Sequence, residues 1–157
     1  MREFFDGLAR NHGIGGKPDL REPMTADVLS RIADIVYTVS HDERCLMAVA
    51  VITFVCCTRI GETVVTPNKP GFLRRKDWDA AAGEISVKRT KTDRYGRGTT
   101  LQYVKMDSNI DPVHWMNLYA QYHERWSKDY DPEEPLFMKL NSEPVHRRRC
   151  IFYPKEG

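Results

Sequence analysis

The sequence has no long hydrophobic segment and no strong excess of charge of either sign. Its main apolar stretch, Cys45–Cys57, is well short of the roughly 20 residues that a membrane-spanning helix needs. The 24 basic and 22 acidic residues leave a net charge of +2, which by itself does not indicate a nucleic-acid partner. With 41% hydrophobic and 29% charged residues, the 157-residue chain has the composition of one ordinary globular domain.

The chain also lacks the cysteine spacing of a metal site or a disulfide framework. No Cys-x-x-Cys pair and no matching pair of histidines is present, so we expect buried free thiols, no bound metal and no cofactor. Met1–Arg10 has no apolar signal segment. Free thiols then indicate an intracellular protein, nuclear in a eukaryote or cytoplasmic in a bacterium, without a membrane partner. The four cysteines are Cys45, Cys56, Cys57 and Cys150.

Hydrophobic spacing predicts a mainly helical α+β chain with a small sheet. An N-terminal helix and linker occupy residues 1–22, and the main domain spans residues 23–157. In that domain Thr25 is placed to cap one helix. Ser40 and Glu43 form a capping box for a second, almost entirely apolar helix, which we expect to be surrounded by protein.

Segments with a different spacing of hydrophobic residues follow the apolar helix. RIGETVV predicts a short helix, and then FLRRKDW, GEISVKRT and TTLQYVKM have the composition of strands separated by turns. These three segments predict an antiparallel meander with one solvated face. Asp111 and Pro112 open a further helix, which precedes an apolar PLF segment. The predicted apolar stripe of that helix is Val113, Met116, Leu118 and Tyr122.

Two local features concentrate charge. Arg59 and Glu62 follow directly after the apolar helix, and the hairpin VKRTKTDRYGRG places basic residues around Asp93 and two glycines. A basic turn can enter a nucleic-acid groove, where its cations replace counterions at the phosphates. Each feature alone is more typical of a surface ion pair or a solvated turn. The basic hairpin residues are Lys88, Arg89, Lys91, Arg94 and Arg97.

The order of these parts resembles the catalytic domain of the tyrosine recombinase, or phage integrase, family. The first motif of that family has the form Thr-Gly-x-Arg-x-x-Glu, and CTRIGE has Thr58, Arg59 and Glu62 in common with it. The TKT context of Lys91 is similar to that of the family's hairpin lysine. The PLF segment and the REPMT lead-in also resemble the corresponding segments of the family. The resemblance covers about Pro23–Met138. It implies a helical bundle with a small three-stranded antiparallel sheet.

The resemblance implies a double-stranded DNA partner and DNA strand breakage and rejoining through a 3′-phosphotyrosyl intermediate, without a metal or cofactor. Arg59 would hold the non-bridging oxygens of the scissile phosphate, and Glu62 would orient that arginine. Lys91 would be the general acid toward the leaving 5′ oxygen. The intact parent would act as a homotetramer on DNA, whereas we expect a monomer for this chain. The implied DNA contacts are Lys88, Arg89, Arg94 and Arg97.

The end of the chain departs from the family pattern. A His/Lys-x-x-Arg box, a later His or Trp and the nucleophilic tyrosine are expected well beyond PLF. His146 and Arg149 have the spacing of the box, but they follow Phe137 almost at once. Tyr153 comes one turn later, which leaves no chain to bring it to the phosphate. We therefore expect a truncated domain with half an active site, a solvated basic tail in HRRRC and a packing role for Tyr153.

Three functions stay open on the sequence. The first is a recombinase catalytic domain, inactive alone, whose parent integrates or recombines DNA in a mobile element. The second is a degenerate recombinase domain that binds DNA without cutting it. The third is a helical protein-interaction domain with no DNA role.

Overall fold

An apolar helix at the centre of the fold packs against the other helices. The computed structural model describes residues 24–36, 40–69, 71–88, 93, 95–121 and 131–147. This part is α+β, as predicted, and none of its helices is long and apolar enough to cross a membrane. Its elements are helices α1 (Ala26–Val36), α2 (His41–Val55), α3 (Ile60–Thr63) and α4 (Pro112–Gln121), a 3-10 turn (Arg75–Asp77), and strands β1 (Trp78–Asp79), β2 (Glu84–Val87) and β3 (Thr99–Gln102).

Helix α2 is the central helix, and it packs against α1, α3 and α4. The Ser40 N–H donates to Glu43 Oε2 at 2.9 Å, and the Ser40 hydroxyl donates to the same oxygen at 2.6 Å. The predicted capping box is therefore confirmed in its Glu43 half, whereas the Ser40 hydroxyl binds the carboxylate and makes no cap bond to a backbone N–H. The prediction that protein surrounds α2 is confirmed as well, because its buried side chains include neighbours along the chain: Cys45, Leu46, Met47, Ala48, Val49, Val51 and Ile52.

Helices α1 and α4 begin at the predicted caps. Thr25 Oγ1 accepts the Val28 N–H at 3.3 Å, and Asp111 Oδ1 accepts the Val113 N–H at 3.0 Å. Each cap satisfies a backbone donor that the first turn of a helix leaves without a partner.

The predicted apolar stripe of α4 is partly wrong. Met116 is buried as expected, but Trp115 and Tyr119 face the core with it, whereas Val113 and Leu118 are only partly buried. The two aromatic side chains can be buried because their polar atoms find partners. Trp115 Nε1 donates to Asn109 O at 2.7 Å, and the Tyr119 hydroxyl donates to Leu136 O at 2.9 Å. Tyr122 lies outside the described residues.

The predicted meander is present as a three-stranded antiparallel sheet in the order β1-β2-β3. Ile85 pairs with Leu101, and Ser86 pairs with Thr100. Ile85 and Val87 are buried, while Thr100 is exposed, so one face of the sheet is solvated as expected.

The first strand of the sheet is much shorter than FLRRKDW predicts. Residues 75–77 form a 3-10 turn, and only Trp78–Asp79 pairs with β2. The Arg75 and Lys76 N–H groups donate instead to Glu134 O at 3.0 Å and Pro132 O at 3.1 Å. A distant loop therefore takes the backbone bonds that a longer strand would have given to β2.

Tyr119 joins α4 to the PLF segment, which is buried as predicted at Leu136 and Phe137. The Tyr119 hydroxyl accepts the Met138 N–H at 2.9 Å, and burial raises the pKa of this phenol far above its ordinary value.

We expect Tyr119→Phe to lower the free energy of unfolding by about 1–3 kcal/mol, because a buried N–H loses its acceptor. Urea denaturation measures this loss.

Tyr95→Phe is the matched control for this measurement, because it removes a hydroxyl from a side chain that is 83% exposed. We expect it to leave the urea midpoint unchanged. Equal effects of the two substitutions would contradict the structural role of the Tyr119 hydroxyl.

Candidate functional site

Arg59 follows a tightly specified end of helix α2. The Thr58 N–H donates to Thr53 O at 3.1 Å, and the Cys57 N–H donates to Phe54 O at 3.2 Å. Cys57 has a φ of 51°, in the left-handed region. These two bonds and the left-handed residue form a Schellman motif, which turns the chain sharply away from the helix axis. The position of Arg59 is therefore determined by the end of a buried helix.

Three threonine hydroxyls hold the turn against the next helix. Thr63 Oγ1 lies 2.9 Å from Thr58 Oγ1 and accepts the Thr53 hydroxyl at 3.2 Å. Thr63 is 1% exposed, so this network is shielded from water on the α3 side. Because hydrogen bonds are stronger where water is excluded, the three hydroxyls restrain α3 relative to α2.

Arg59 and Glu62 are brought together as the sequence predicts. Arg59 is the N-cap of α3, and its backbone N–H donates to Glu62 Oε2 at 2.9 Å. Its guanidinium Nη1 donates to Glu62 Oε1 at 3.1 Å. The Glu62 side chain is 12% exposed and the Arg59 side chain 53% exposed. The carboxylate thus holds the arginine from the protein side, and half of the arginine remains open to solvent.

The spacing of the sequence motif places its glycine one residue before Thr58. When Thr-Gly-x-Arg-x-x-Glu is placed on Arg59 and Glu62, its glycine falls on Cys57 and Thr58 takes the variable position. The correspondence assigned to Thr58 was therefore wrong. The glycine position is the one with a positive φ, a conformation that glycine adopts without steric strain.

The expectation of a solvated tail in HRRRC is wrong for its first two residues. Val65 N–H donates to Val145 O at 3.2 Å, and Arg147 N–H donates to Val65 O at 3.0 Å. The stretch around His146 therefore lies against the residues that follow α3. The Arg147 side chain is half-buried and packs over Gly61, where a methyl group would lie 4.0 Å from Arg147 Cδ and Nη1. Arg149 and Tyr153 lie outside the described residues.

The basic hairpin between β2 and β3 is organised by one carboxylate. Asp93 Oδ2 accepts the Gly98 N–H at 2.7 Å, and Asp93 Oδ1 accepts the Tyr95 N–H at 3.2 Å. These backbone donors, with Gly98 first, lower the pKa of Asp93 from its ordinary value. Gly98 has a φ of 72°, and a Cβ there would lie 3.0 Å from Val87 O. A glycine is therefore required where the chain rejoins the sheet.

The hairpin cations occupy different surroundings. Lys88 Nζ lies 3.0 Å from Asp77 Oδ1, and the Asp77 side chain is 4% exposed, so Lys88 anchors the base of the hairpin to the 3-10 turn. Arg97 stacks over the Tyr95 ring with its guanidinium carbon 5.4 Å from the ring centroid. Three of the predicted site residues lie outside the described part of the chain: Arg89, Lys91 and Arg94.

The cysteines agree with the expectation of buried thiols only in part. Cys45 is buried, and its thiol donates to Met138 O at 3.4 Å. Cys56 is half-buried, and burial followed by the neighbouring Cys57 raises the pKa of its thiol. Cys57 is exposed, because the left-handed turn points away from the core. Within the described ranges, no group of three or more histidine, cysteine or acidic side chains could hold a metal ion.

Sequence reasoning missed the contact between Arg147 and Gly61 and the pairing of Lys88 with Asp77. Both join segments that are far apart in the chain, so no local spacing indicates them. The control of the hairpin by Asp93 did leave a local signal. An aspartate with glycines at the third and fifth following positions is typical of a turn in which the side chain accepts backbone N–H groups.

Comparison of the chain with protein-family models, with curated proteins and with solved structures finds no match. Any assignment of function therefore depends on the geometry of Arg59, Glu62 and the hairpin.

The left-handed turn before Arg59 leads to a stability prediction. Cys57→Gly is expected to raise the free energy of unfolding by about 1 kcal/mol and the melting temperature by about 2–4 °C, because glycine relieves the strain of a positive φ. Thermal unfolding followed by circular dichroism measures the shift.

The neighbouring Cys56→Gly is the control, since Cys56 has a φ of −83° and gains no relief. Glycine there is expected to destabilise, because it only increases the freedom of the unfolded chain. A stabilising Cys56→Gly together with a neutral Cys57→Gly would show that the turn is not the source of strain.

Proposed function

We propose that the chain is a tyrosine recombinase-like catalytic domain that grips a DNA phosphate with Arg59, in a parent protein that breaks and rejoins DNA. The observation that carries the proposal is the fixed but half-exposed guanidinium of Arg59, held by Glu62 at the end of a buried helix. The order of sequence motifs around it supports the same assignment. In this proposal Lys91, outside the described residues, is the general acid toward the leaving oxygen.

The chemistry of strand cleavage explains what a fixed arginine contributes. Attack on a phosphodiester passes through a crowded phosphorane with increased negative charge on its non-bridging oxygens. A guanidinium binds two such oxygens through parallel N–H donors. Donors that are already oriented need no reorganisation when that charge develops. In this chain Glu62 takes one edge of the Arg59 guanidinium, which leaves the solvent-facing part for a phosphate.

The asymmetric burial of the pair favours this role over a simple surface ion pair. Exposed ion pairs contribute only about 0–1 kcal/mol, so they give little reason to bury one partner. Glu62 is nevertheless mostly buried, and its two oxygens take two different donors of Arg59. Glu62 thus restrains Arg59 at both ends, at the backbone N–H and at the guanidinium. Phosphate binding requires a side chain that is held in this way.

A DNA-binding relic is the second candidate, and the surroundings of the tyrosines favour it. The Tyr103 hydroxyl accepts Trp78 Nε1–H at 2.6 Å, and the Tyr119 hydroxyl is held by the PLF backbone. Tyr95 lies on the hairpin. The Tyr103 and Tyr119 hydroxyls thus each have a hydrogen-bond partner within the fold. In the relic, Arg59 and the hairpin bind DNA without cutting it.

The role of Arg59 can be tested by DNA affinity as a function of salt. Arg59→Ala is expected to weaken binding to a duplex about tenfold and to lower the salt slope by about one, since one phosphate contact is lost. Arg59→Lys keeps the charge but loses the paired donors, so it is expected to restore the slope and only part of the affinity. Fluorescence anisotropy of a labelled duplex measures both quantities.

Glu62→Gln distinguishes two effects of Glu62 on DNA binding, the orientation of Arg59 and the repulsion of phosphate by its own charge. Removal of a negative charge should tighten DNA binding if Glu62 only repels phosphate, whereas loss of the Arg59 orientation should weaken it. We expect weaker binding. Arg31→Ala, which removes an exposed arginine from α1, is the matched control and should change affinity much less than Arg59→Ala. Tighter binding by Glu62→Gln, or equal losses for the two arginines, would contradict the proposed phosphate grip.

Covalent trapping on a nicked suicide duplex distinguishes the enzyme from the relic. We expect this chain to form no protein–DNA adduct on a denaturing gel, because the hydroxyls of Tyr103 and Tyr119 are hydrogen-bonded within the fold and the sequence leaves Tyr153 too few residues after PLF to reach the phosphate. An adduct that disappears in Tyr153→Phe would assign the nucleophile to Tyr153 and would remove the case for a relic.

A further inference from the structure

Tyr95 is the most exposed large hydrophobic side chain in the described part of the chain. Its side chain is 83% exposed, compared with 72% for Val104 and 68% for Leu140. It lies in the hairpin between β2 and β3, away from the core cluster. A single exposed ring is ordinary on a protein surface, so its surroundings decide whether it indicates a binding role.

The exposed ring is nevertheless held in a defined place. The Tyr95 N–H donates to Asp93 Oδ1, and the same carboxylate binds the Gly98 N–H across the turn. Arg97 stacks on one side of the ring at 5.4 Å. A ring restrained at its backbone and supported by a cation loses less conformational freedom on binding than a free side chain would. One ring face is thus supported from within the hairpin.

The charges around the ring favour a nucleic acid over a protein or lipid partner. Lys88 and Arg97 are the described cations of the hairpin, and three further basic residues lie between them in the sequence. A planar ring beside cations matches a base beside phosphates, since bases stack on aromatic rings while the cations bind the strand. Asp93 keeps its negative charge in this turn, but the five basic residues of the hairpin sequence outnumber it.

We propose that Tyr95 is a stacking residue that packs against an unstacked DNA base next to the strand that the hairpin cations hold. The inference rests on the proposed DNA-binding function and adds to it a preference for DNA in which a base is unstacked. A base in an intact duplex exposes little of its face, so stacking requires that a base step be opened. Duplexes that are already opened by mismatches therefore bind more tightly than fully paired ones.

The test uses 2-aminopurine, whose fluorescence rises when the base leaves its stack in the duplex. It is placed within a mismatched bubble and, separately, in a fully paired duplex of the same sequence. For Tyr95→Ala we expect about tenfold weaker binding to the bubble with an unchanged salt slope, since stacking involves no counterion release. At saturating protein, the 2-aminopurine signal should differ between the wild type and Tyr95→Ala.

Two further variants make the result specific. Tyr95→Phe keeps the ring and should retain the affinity for the bubble, while Val104→Ala removes exposed apolar surface elsewhere and should have no effect. Arg97→Gln should lower the salt slope by about one. Equal bubble affinity for Tyr95→Ala and wild type would overturn the stacking inference alone, provided that the Arg59-dependent binding persists. Absence of any salt-dependent DNA binding by the wild type would overturn the proposed function together with it.

Discussion

The end of helix α2 is the constraint on which the rest of the candidate site depends. The middle of the helix, from Cys45 to Ile52, is largely buried, so the turn that follows it is anchored to a close-packed segment. The Schellman motif then fixes the direction in which the chain leaves, and the threonine network fixes the next helix against it. Arg59 stands between these two restraints. Its position is in this way supported by the free energy of core packing and not only by its ion pair with Glu62.

The described part of the hairpin, Asp93 and residues 95–98, is held by local bonds and not by core packing. A single aspartate accepts two N–H groups of its own turn, and glycine makes the close approach to the sheet. Lys88 adds an ion pair to a buried carboxylate at the base. These local bonds leave Arg97 and the Tyr95 ring exposed. The turn thus combines a defined backbone with an exposed basic and aromatic surface.

The features that the sequence predicts well are those with local causes. The caps at Thr25, Ser40 and Asp111 were predictable because a side chain binds a backbone N–H only a few residues away. The pairing of Arg59 with Glu62 follows from helix spacing in the same way. The short first strand was not predictable, since the bonds that interrupt it come from the loop around Pro132. The placement of Arg147 over Gly61 likewise depends on a long-range pairing.

The difference in exposure between Arg59 and Glu62 links structure to function most directly. Glu62 occupies the third position of α3, where its carboxylate accepts the Arg59 N–H, and an arginine at that position could not accept this bond. The anion therefore lies inward and the cation outward. A buried carboxylate needs donors, and both the backbone and the guanidinium of Arg59 supply them. The positive charge of Arg59 is then presented to solvent in a fixed orientation, which is the property that the proposed phosphate contact needs.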